Sequence, residues 1–162
     1  MKKNKTTPKV NLTLQLATRN LQQDLPESAF FKNCITATLA NDVIASPPKI
    51  SEITIRIVGN IESAALNKKY RKKNKPTNIL SFNYDLDLPQ KTKENSPLYG
   101  DLVICLPIVR KEAKQQGKSL ASHLAHLTIH GTLHLLGYDH QTNKEAEAME
   151  TLEQKILDCL ST

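Results

Sequence analysis

The sequence predicts an α/β fold of the mixed, α+β kind, with four strands and about five helices in a single domain, residues 1–162. Short segments with apolar–polar alternation, or a short apolar run, are typical of strands. Longer segments with apolar residues three and four apart are typical of helices. Both kinds occur along the chain, which favours a sheet with helices packed on it. A domain of this length buries roughly two-thirds of its unfolded surface, so we expect it to fold without disulfides or a structural metal.

Four segments have the pattern of strands. Val10, Leu12 and Leu14 alternate with polar residues in the first, and three isoleucines share one face of the second. The fourth is a nearly continuous apolar run, which predicts a central place in the sheet. The predicted strands are residues 9–16, 52–58, 78–84 and 101–106.

Five segments have the pattern of helices, and several carry residues suited to helix ends. Asp24 and Asn60 are residue types that cap helix N-termini, and Pro107 suits a first turn. Gly117 and Gly137 are residue types that end helices. The predicted helices are residues 26–40, 61–70, 107–117, 119–136 and 143–160.

Two segments are predicted to lack regular structure. Residues 1–8 are basic and polar, and we expect them to be disordered. Residues 85–99 are polar and contain two prolines, which predicts a loop over the surface.

Composition limits the classes of function. The formal net charge of +6 favours a polyanionic partner, although it does not by itself specify nucleic acid. The sequence has no apolar run long enough for a membrane span and no apolar region after its basic N-terminus, so we expect no membrane association. Three cysteines without a CxxC pair fit a reducing, cytoplasmic location. Aromatic residues are only 4% of the chain, so base-stacking surfaces are expected to be scarce.

The most informative motif is a set of three histidines. His130 and His134 are four residues apart, which on an α-helix separates them by about 40° and one turn. Gly137 can then reverse the chain and return His140 to the same point. Three histidine ligands leave a fourth position for water, as in catalytic zinc sites. The motif therefore predicts a catalytic Zn²⁺, one per chain.

The spacing HxxxHxxGxxH is that of the metzincin peptidases, with one departure. Those enzymes have a glutamate general base directly after the first histidine, where this chain has Gly131. The metal ligands of a peptidase are therefore present without its proton acceptor. His126 and Asp139 lie beside the ligands and are candidates for groups that orient them.

A basic run precedes the third strand, with six cations in the eight residues 68–75. Such a run is often only a solvated helix end, where cations favour the helix dipole. The alternative is a rim that contacts phosphates. Its candidate RNA-binding residues are Lys68, Lys69, Lys72, Lys73 and Lys75.

Three motifs in order resemble the bacterial YbeY family. They are Tyr70-Arg71 followed by PTNILSF at 76–82, GDLVI at 100–104, and the histidine motif. The resemblance covers about residues 52–149 and implies a zincin-like domain. It departs at Asn83, where the family commonly has proline, and in the charges of residues 85–99.

The resemblance implies a zinc-dependent endoribonuclease specific for single-stranded RNA. It implies action in maturation of the 3′ end of small-subunit ribosomal RNA and in ribosome quality control, with the ribosome or its assembly factors as partners. It assigns the zinc to His130, His134 and His140 and a functionally essential role to Arg71. We expect Arg71 to bind the scissile phosphate and stabilise its developing charge.

Two alternatives remain open at this point. One is a zinc peptidase, which the glycine after the first histidine argues against. The other is a non-catalytic ribosome-assembly factor with a structural zinc, which the open coordination position and the nearby arginine argue against. The attacking nucleophile and the general base are not identified by the sequence.

Overall fold

The computed structural model describes residues 7–84 and 97–160, and within them the chain forms a four-stranded mixed sheet with five α-helices. The predicted fold class is confirmed. The strands are β1 (Lys9–Leu16), β2 (Ile50–Val58), β3 (Ile79–Asn83) and β4 (Leu98–Cys105). The helices are α1 (Ser28–Leu39), α2 (Asn60–Arg71), α3 (Leu106–Gln115), α4 (Leu120–Leu135) and α5 (Asn143–Leu160).

The sheet has the order β1-β2-β4-β3. The first three strands are parallel, whereas β3 runs antiparallel to β4, with Phe82 opposite Asp101. As its apolar run predicts, β4 is central, and its residues Leu102 and Ile104 are fully buried. The other edge of β3 pairs with no strand in the described part of the chain.

Helix α4 lies at the centre of the molecule and positions the site. Leu124 and Leu127 on one side join the core formed with the sheet and α1. Ile129 and Leu133 on another side pack in a second apolar cluster with α5. A helix that is apolar on most of its surface must be buried by neighbouring elements. Its histidines occupy the remaining stripe. On the opposite face of the sheet, Leu66 of α2 packs with a third cluster.

The ends of several elements differ from the predictions. Asp24 does not cap α1, because it lies four residues before the first helical residue in a turn with φ of 60°. Glu27 is at the N-cap position instead, and Gly59 rather than Asn60 is at that of α2. Residue preferences at the N-cap position locate a helix start only to within a few residues, because several polar residues near the boundary are suitable caps.

The segments predicted to be irregular lie mostly outside the described residues, namely 1–6 and 85–96. Three residues at the boundaries of these segments differ from the prediction. Pro8 is buried just before β1 rather than disordered, and Leu98 and Tyr99 belong to β4 rather than to the loop. In the described part of the chain, no helix is long and apolar enough to cross a membrane.

Candidate metal centre

Three histidine side chains converge at the C-terminal end of α4. The Nε2 atoms of His130 and His134 are 3.0 Å apart, as the helical spacing predicts. Gly137 has a φ of 99°, which L side chains rarely adopt, and it turns the chain so that His140 returns. One ligand nitrogen from each histidine lies within 4.8 Å of the others. Two nitrogens bound to a tetrahedral zinc at about 2.0–2.1 Å are roughly 3.3 Å apart, so this arrangement can hold such an ion.

A buried carboxylate from α5 holds the outer side of the first histidine. Glu153 is 2% exposed, and its Oε1 lies 2.5 Å from His130 Nδ1. Its Oε2 lies 2.8 Å from His126 Nε2. An ionised carboxylate only accepts hydrogen bonds, so His130 donates through Nδ1, and a neutral His130 then has its lone pair on Nε2. This is the tautomer that a metal at Nε2 requires.

The ionisation states favour metal binding. Burial raises the pKa of Glu153, but hydrogen bonds from His126 and His130 outweigh burial and lower that pKa to about 2. Burial lowers the pKa of His134, and the nearby His130 and His140 lower it further. Metals bind the neutral imidazole. The site therefore combines a charged orienting carboxylate with a neutral histidine ligand.

The two side chains proposed from sequence as orienting groups take different positions. His126 shares Glu153 with His130 and so belongs to the network around the ligands. Asp139 accepts a hydrogen bond from the backbone N–H of His140 at 2.7 Å, and its negative charge also acts on His134, whose pKa it tends to raise. His123 is 3% exposed, and its Nε2 lies 3.1 Å from a carboxylate oxygen of Glu112.

Gly131 faces the sheet. A Cβ built there would lie 2.8 Å from Ile79 Cδ1 and 2.8 Å from Leu102 Cδ2. Real Cβ atoms essentially never approach neighbours so closely, so a larger residue would have to displace core side chains. A glutamate at this position would meet the sheet. Packing, as well as residue type, therefore argues against a peptidase general base here.

A cleft of about 1130 Å³, called the open cleft below, contains the three histidines and Arg71. All five residues of β3 line it, so the cleft follows the edge of β3 that pairs with no other described strand. Arg71 is exposed at the last position of α2. The structure thus brings Arg71 and the histidines, at least 59 residues apart in sequence, to one surface.

The five lysines of the basic run are exposed and do not line the open cleft. Their backbone is nevertheless held in place. Buried Asn67 donates from Nδ2 to the carbonyl of Lys75 at 2.8 Å. Buried Ser63 bonds both the N–H and the carbonyl of Thr77, each at 3.0 Å. The backbone of the run is therefore anchored at its C-terminal end, and Arg71 within the run lines the open cleft.

A second cavity, of about 480 Å³, lies on the α5 side of the histidines and is called the acidic pocket. His130 and His140 line both cavities. Three carboxylates line this one, from Glu112, Glu150 and Glu153. Asn78 also lines both, and its Nδ2 donates to Glu112 at 3.1 Å.

Asn83, the departure from the family pattern, has a structural role in the open cleft. Its Nδ2 donates to the carbonyl of Leu135 at 2.6 Å. Leu135 is the last residue of α4, where carbonyls have no partner within the helix. Asn83 therefore ties β3 to the end of the helix that carries His134.

Sequence reasoning missed Glu153, the side chain most closely tied to the histidine ligands. A signal was present. Met149, Leu152 and Ile156 form the inner face of α5, and Glu153 lies within that stripe. A buried glutamate is rare unless it is paired, so an acid inside an apolar stripe indicates a partner. The sequence could not indicate which residue that partner is.

Comparison with known proteins places these features in a family. The family model for endoribonuclease YbeY matches residues 15–161. An endoribonuclease YbeY from Buchnera aphidicola subsp. Acyrthosiphon pisum is 49% identical over 146 residues, 90% of this chain and 88% of that protein. One from Xanthomonas axonopodis pv. citri is 49% identical over 135 residues, 82% of this chain and 80% of that protein.

A solved structure is similar in fold. The solution structure of TM1509 from Thermotoga maritima superposes with a TM-score of 0.52 at 20% sequence identity. The match covers 91% of this chain and 87% of that one. At this identity the likeness concerns the fold alone.

Proposed function

This chain belongs to the YbeY family of endoribonucleases, and from that premise we propose that it cleaves single-stranded RNA at a zinc centre held by His130, His134 and His140. Membership makes it a hydrolase acting on RNA. The observation that carries the finer proposal is that three histidine nitrogens within 4.8 Å of one another share a cleft with Arg71.

The donor set supports zinc in particular. Imidazole nitrogen is a common Zn²⁺ ligand, and three protein ligands with a fourth position open are typical of catalytic zinc. The Glu153 carboxylate behind His130 is the outer partner that such ligands commonly have. When bound, zinc would supply Lewis acidity, by which it polarises a phosphoryl oxygen or lowers the pKa of bound water to about 7.

The chain's own residues bind and orient the RNA. The Arg71 guanidinium offers a planar pair of donors to the scissile phosphate and stabilises the charge that develops there. Glu153 orients His130 and is not available as general base, since both of its oxygens are engaged and it is buried. The lysines beside the open cleft hold flanking phosphates, which fixes the strand without reading its bases.

The alternatives from the sequence are less well supported. A peptidase would need a general base where Gly131 packs against the sheet. A non-catalytic assembly factor would need no arginine in the same cleft as the metal ligands.

We further propose ribosomal RNA as the substrate in the cell, at the 3′ end of the small-subunit RNA, with the ribosome as partner and the cytoplasm as location. Support comes from the family and from the cationic surface. The test is the 3′ end of that RNA, sequenced in cells that carry only His134→Ala in place of the wild-type gene. Accumulated precursor ends are expected, and mature ends at wild-type abundance would contradict this role.

The activity itself is tested with purified protein. Labelled single-stranded RNA, the same sequence as a duplex, and casein are each incubated with and without a chelator. We expect cleavage of single-stranded RNA alone, loss of cleavage on chelation, and recovery with added Zn²⁺. Circular dichroism should show that the chelated protein stays folded, because the apolar cores do not include the histidine ligands. Undiminished cleavage by protein shown to be metal-free would contradict the zinc proposal, and cleavage of casein would favour the peptidase.

A further inference from the structure

Three of the seven aromatic residues of this protein line the open cleft. The chain has four tyrosines, three phenylalanines and no tryptophan. Phe30 and Phe31 pack edge to face in the interior, with 5.5 Å between ring centroids. Tyr70, Phe82 and Tyr138 line the open cleft. A low aromatic content therefore did not predict how the rings are distributed.

The rings of Tyr70 and Phe82 pack against each other across two elements. Their ring centroids are 5.0 Å apart with an interplanar angle of 66°, an edge-to-face arrangement. Phe82 lies on β3 and also packs against the apolar cluster beneath α2. Tyr70 lies on the last turn of α2 and is 55% exposed. The packed Phe82 thus holds Tyr70 in place, while the tyrosine keeps more than half its surface open to a ligand.

Cations flank this ring. Arg71 follows it in the chain and lines the same cleft. The Lys69 ammonium lies over the Tyr70 ring, 5.2 Å from its centroid, on an exposed side chain that a stacking base can displace. An aromatic ring with cations nearby is complementary to a nucleotide, which has an apolar base face and an anionic phosphate.

We propose that Tyr70, backed by Phe82, is a stacking platform for one base of the single-stranded RNA next to the scissile phosphate. The inference rests on the proposed function and adds a base subsite to it. Because every base has a π-face, the platform accepts any of the four. It selects for single strands, since a paired base inside a duplex does not expose its face.

The first test measures single-turnover cleavage of a short single-stranded RNA over a range of protein concentrations. Full-length Tyr70→Ala, Tyr70→Leu and Tyr70→Phe are compared with wild type. Ile61→Ala is the matched control, since Ile61 lies on the same helix and is 89% exposed. Losing one stacked base should raise the half-saturating concentration roughly 5- to 150-fold for Ala. Leu should be nearly as poor, whereas Phe and the control should resemble wild type.

The second test introduces a single abasic nucleotide at successive positions of the RNA. At the position that contacts Tyr70, removing the base should weaken RNA binding by the wild-type protein. The loss should be as large as the loss that Tyr70→Ala causes with intact RNA. The abasic nucleotide should not further weaken RNA binding by Tyr70→Ala, because that variant has already lost the contact. Such coupling cannot arise from a general disturbance of α2.

Each contrary outcome is distinct. Three results would overturn the platform while leaving the nuclease proposal intact. They are wild-type RNA affinity in Tyr70→Ala, wild-type RNA affinity in Tyr70→Leu, and an abasic nucleotide that weakens binding equally in wild type and Tyr70→Ala. Competition by a casein-derived peptide that depends on Tyr70 would assign the ring to a protein chain and also overturn it. Failure of the proposed function would appear earlier, as wild type that cleaves no RNA, and the platform would fall with it.

Discussion

The two sides of the histidine cluster use charge in opposite ways. On the α2 side, the open cleft has exposed cations nearby, with Arg71 in the cleft and lysines beside it. On the α5 side, the acidic pocket has carboxylates, and Glu153 among them is only 2% exposed. The difference follows from solvation. Exposed cations keep their hydration and can exchange it for phosphate, whereas a buried carboxylate persists only with fixed partners.

Charged residues on the two sides of the histidine cluster therefore have different tasks, which the net charge of the chain does not reveal. On the α5 side, both oxygens of Glu153 are already bonded to histidines. Within the described residues, Arg71 and the lysines of the α2 side form no ion pair, which suits a mobile polyanion. Substitutions on the two sides should therefore affect metal affinity and RNA handling separately, and that separation can be tested.

The largest effect is expected where the two sides meet. His134→Ala removes one of three protein ligands and should reduce both bound metal and RNA cleavage below detection. Elemental analysis of the purified variant, alongside a cleavage assay, measures both. Full metal occupancy in His134→Ala would rule out the proposed site.

The next effect concerns the open cleft. Arg71→Ala should lower the single-turnover rate at saturating RNA about 10²- to 10³-fold, as expected for loss of one preorganised charge-stabilising donor. RNA affinity should change little, and lysine should rescue poorly because an ammonium lacks the planar fork. A wild-type rate in Arg71→Ala would return this residue to the role of a solvated helix end.

On the acidic side, Glu153→Gln should weaken metal affinity roughly 10- to 100-fold, because His130 loses its charged acceptor. Glu150→Gln is the matched control, since Glu150 lines the same pocket on the same helix but is exposed. Titration with a competing chelator gives the affinities. If both variants bind metal as wild type does, the acidic pocket does not tune the centre.

The lysines beside the open cleft should show the reverse of Arg71. Lys72→Ala or Lys73→Ala should weaken RNA binding a few-fold with little change in the saturated rate. Each lost phosphate contact should reduce the log–log salt slope by about 0.7. Affinity measured from low to high salt tests this, and an unchanged slope would mean that the lysines contact no phosphate.

The smallest effect tests the framework that holds α2. Glu62 in its first turn accepts two hydrogen bonds from Arg56 of β2, at 2.6 and 2.9 Å. Hydrogen bonding by Arg56 lowers the pKa of Glu62 below 4.5. The pair should therefore stabilise the fold above about pH 4.5 and lose its effect as pH falls through the lower, folded-state pKa.

Glu62→Gln should accordingly destabilise the protein at pH 7 by less than about 1 kcal/mol, because the pair is partly exposed and screened. At pH 3 the difference from wild type should shrink. Thermal melting at both values measures this. A difference that grows on acidification would show that the pKa is not lowered.

Local geometry explains why the convergence of the three histidines could be predicted from sequence. The positions of His130 and His134 follow from the pitch of one helix, and Gly137 restricts the turn that returns His140. The strands and helices could also be predicted from sequence, because burying one face of an element imposes the period of that element on its apolar residues. Helix starts were less accurate, as Asp24 illustrates, because several polar residues near a boundary can satisfy a cap.

The chain alone determined which residues could bind a metal, since that information lies within eleven consecutive residues, 130–140. Only the tertiary structure decided that Glu153 lies behind His130 and that Tyr70 packs on Phe82 in the cleft that also holds Arg71. Such contacts join elements far apart in the chain. They depend on how α4, α5 and α2 pack on the sheet, and the periodicity of a single helix records which face is buried but not what that face meets.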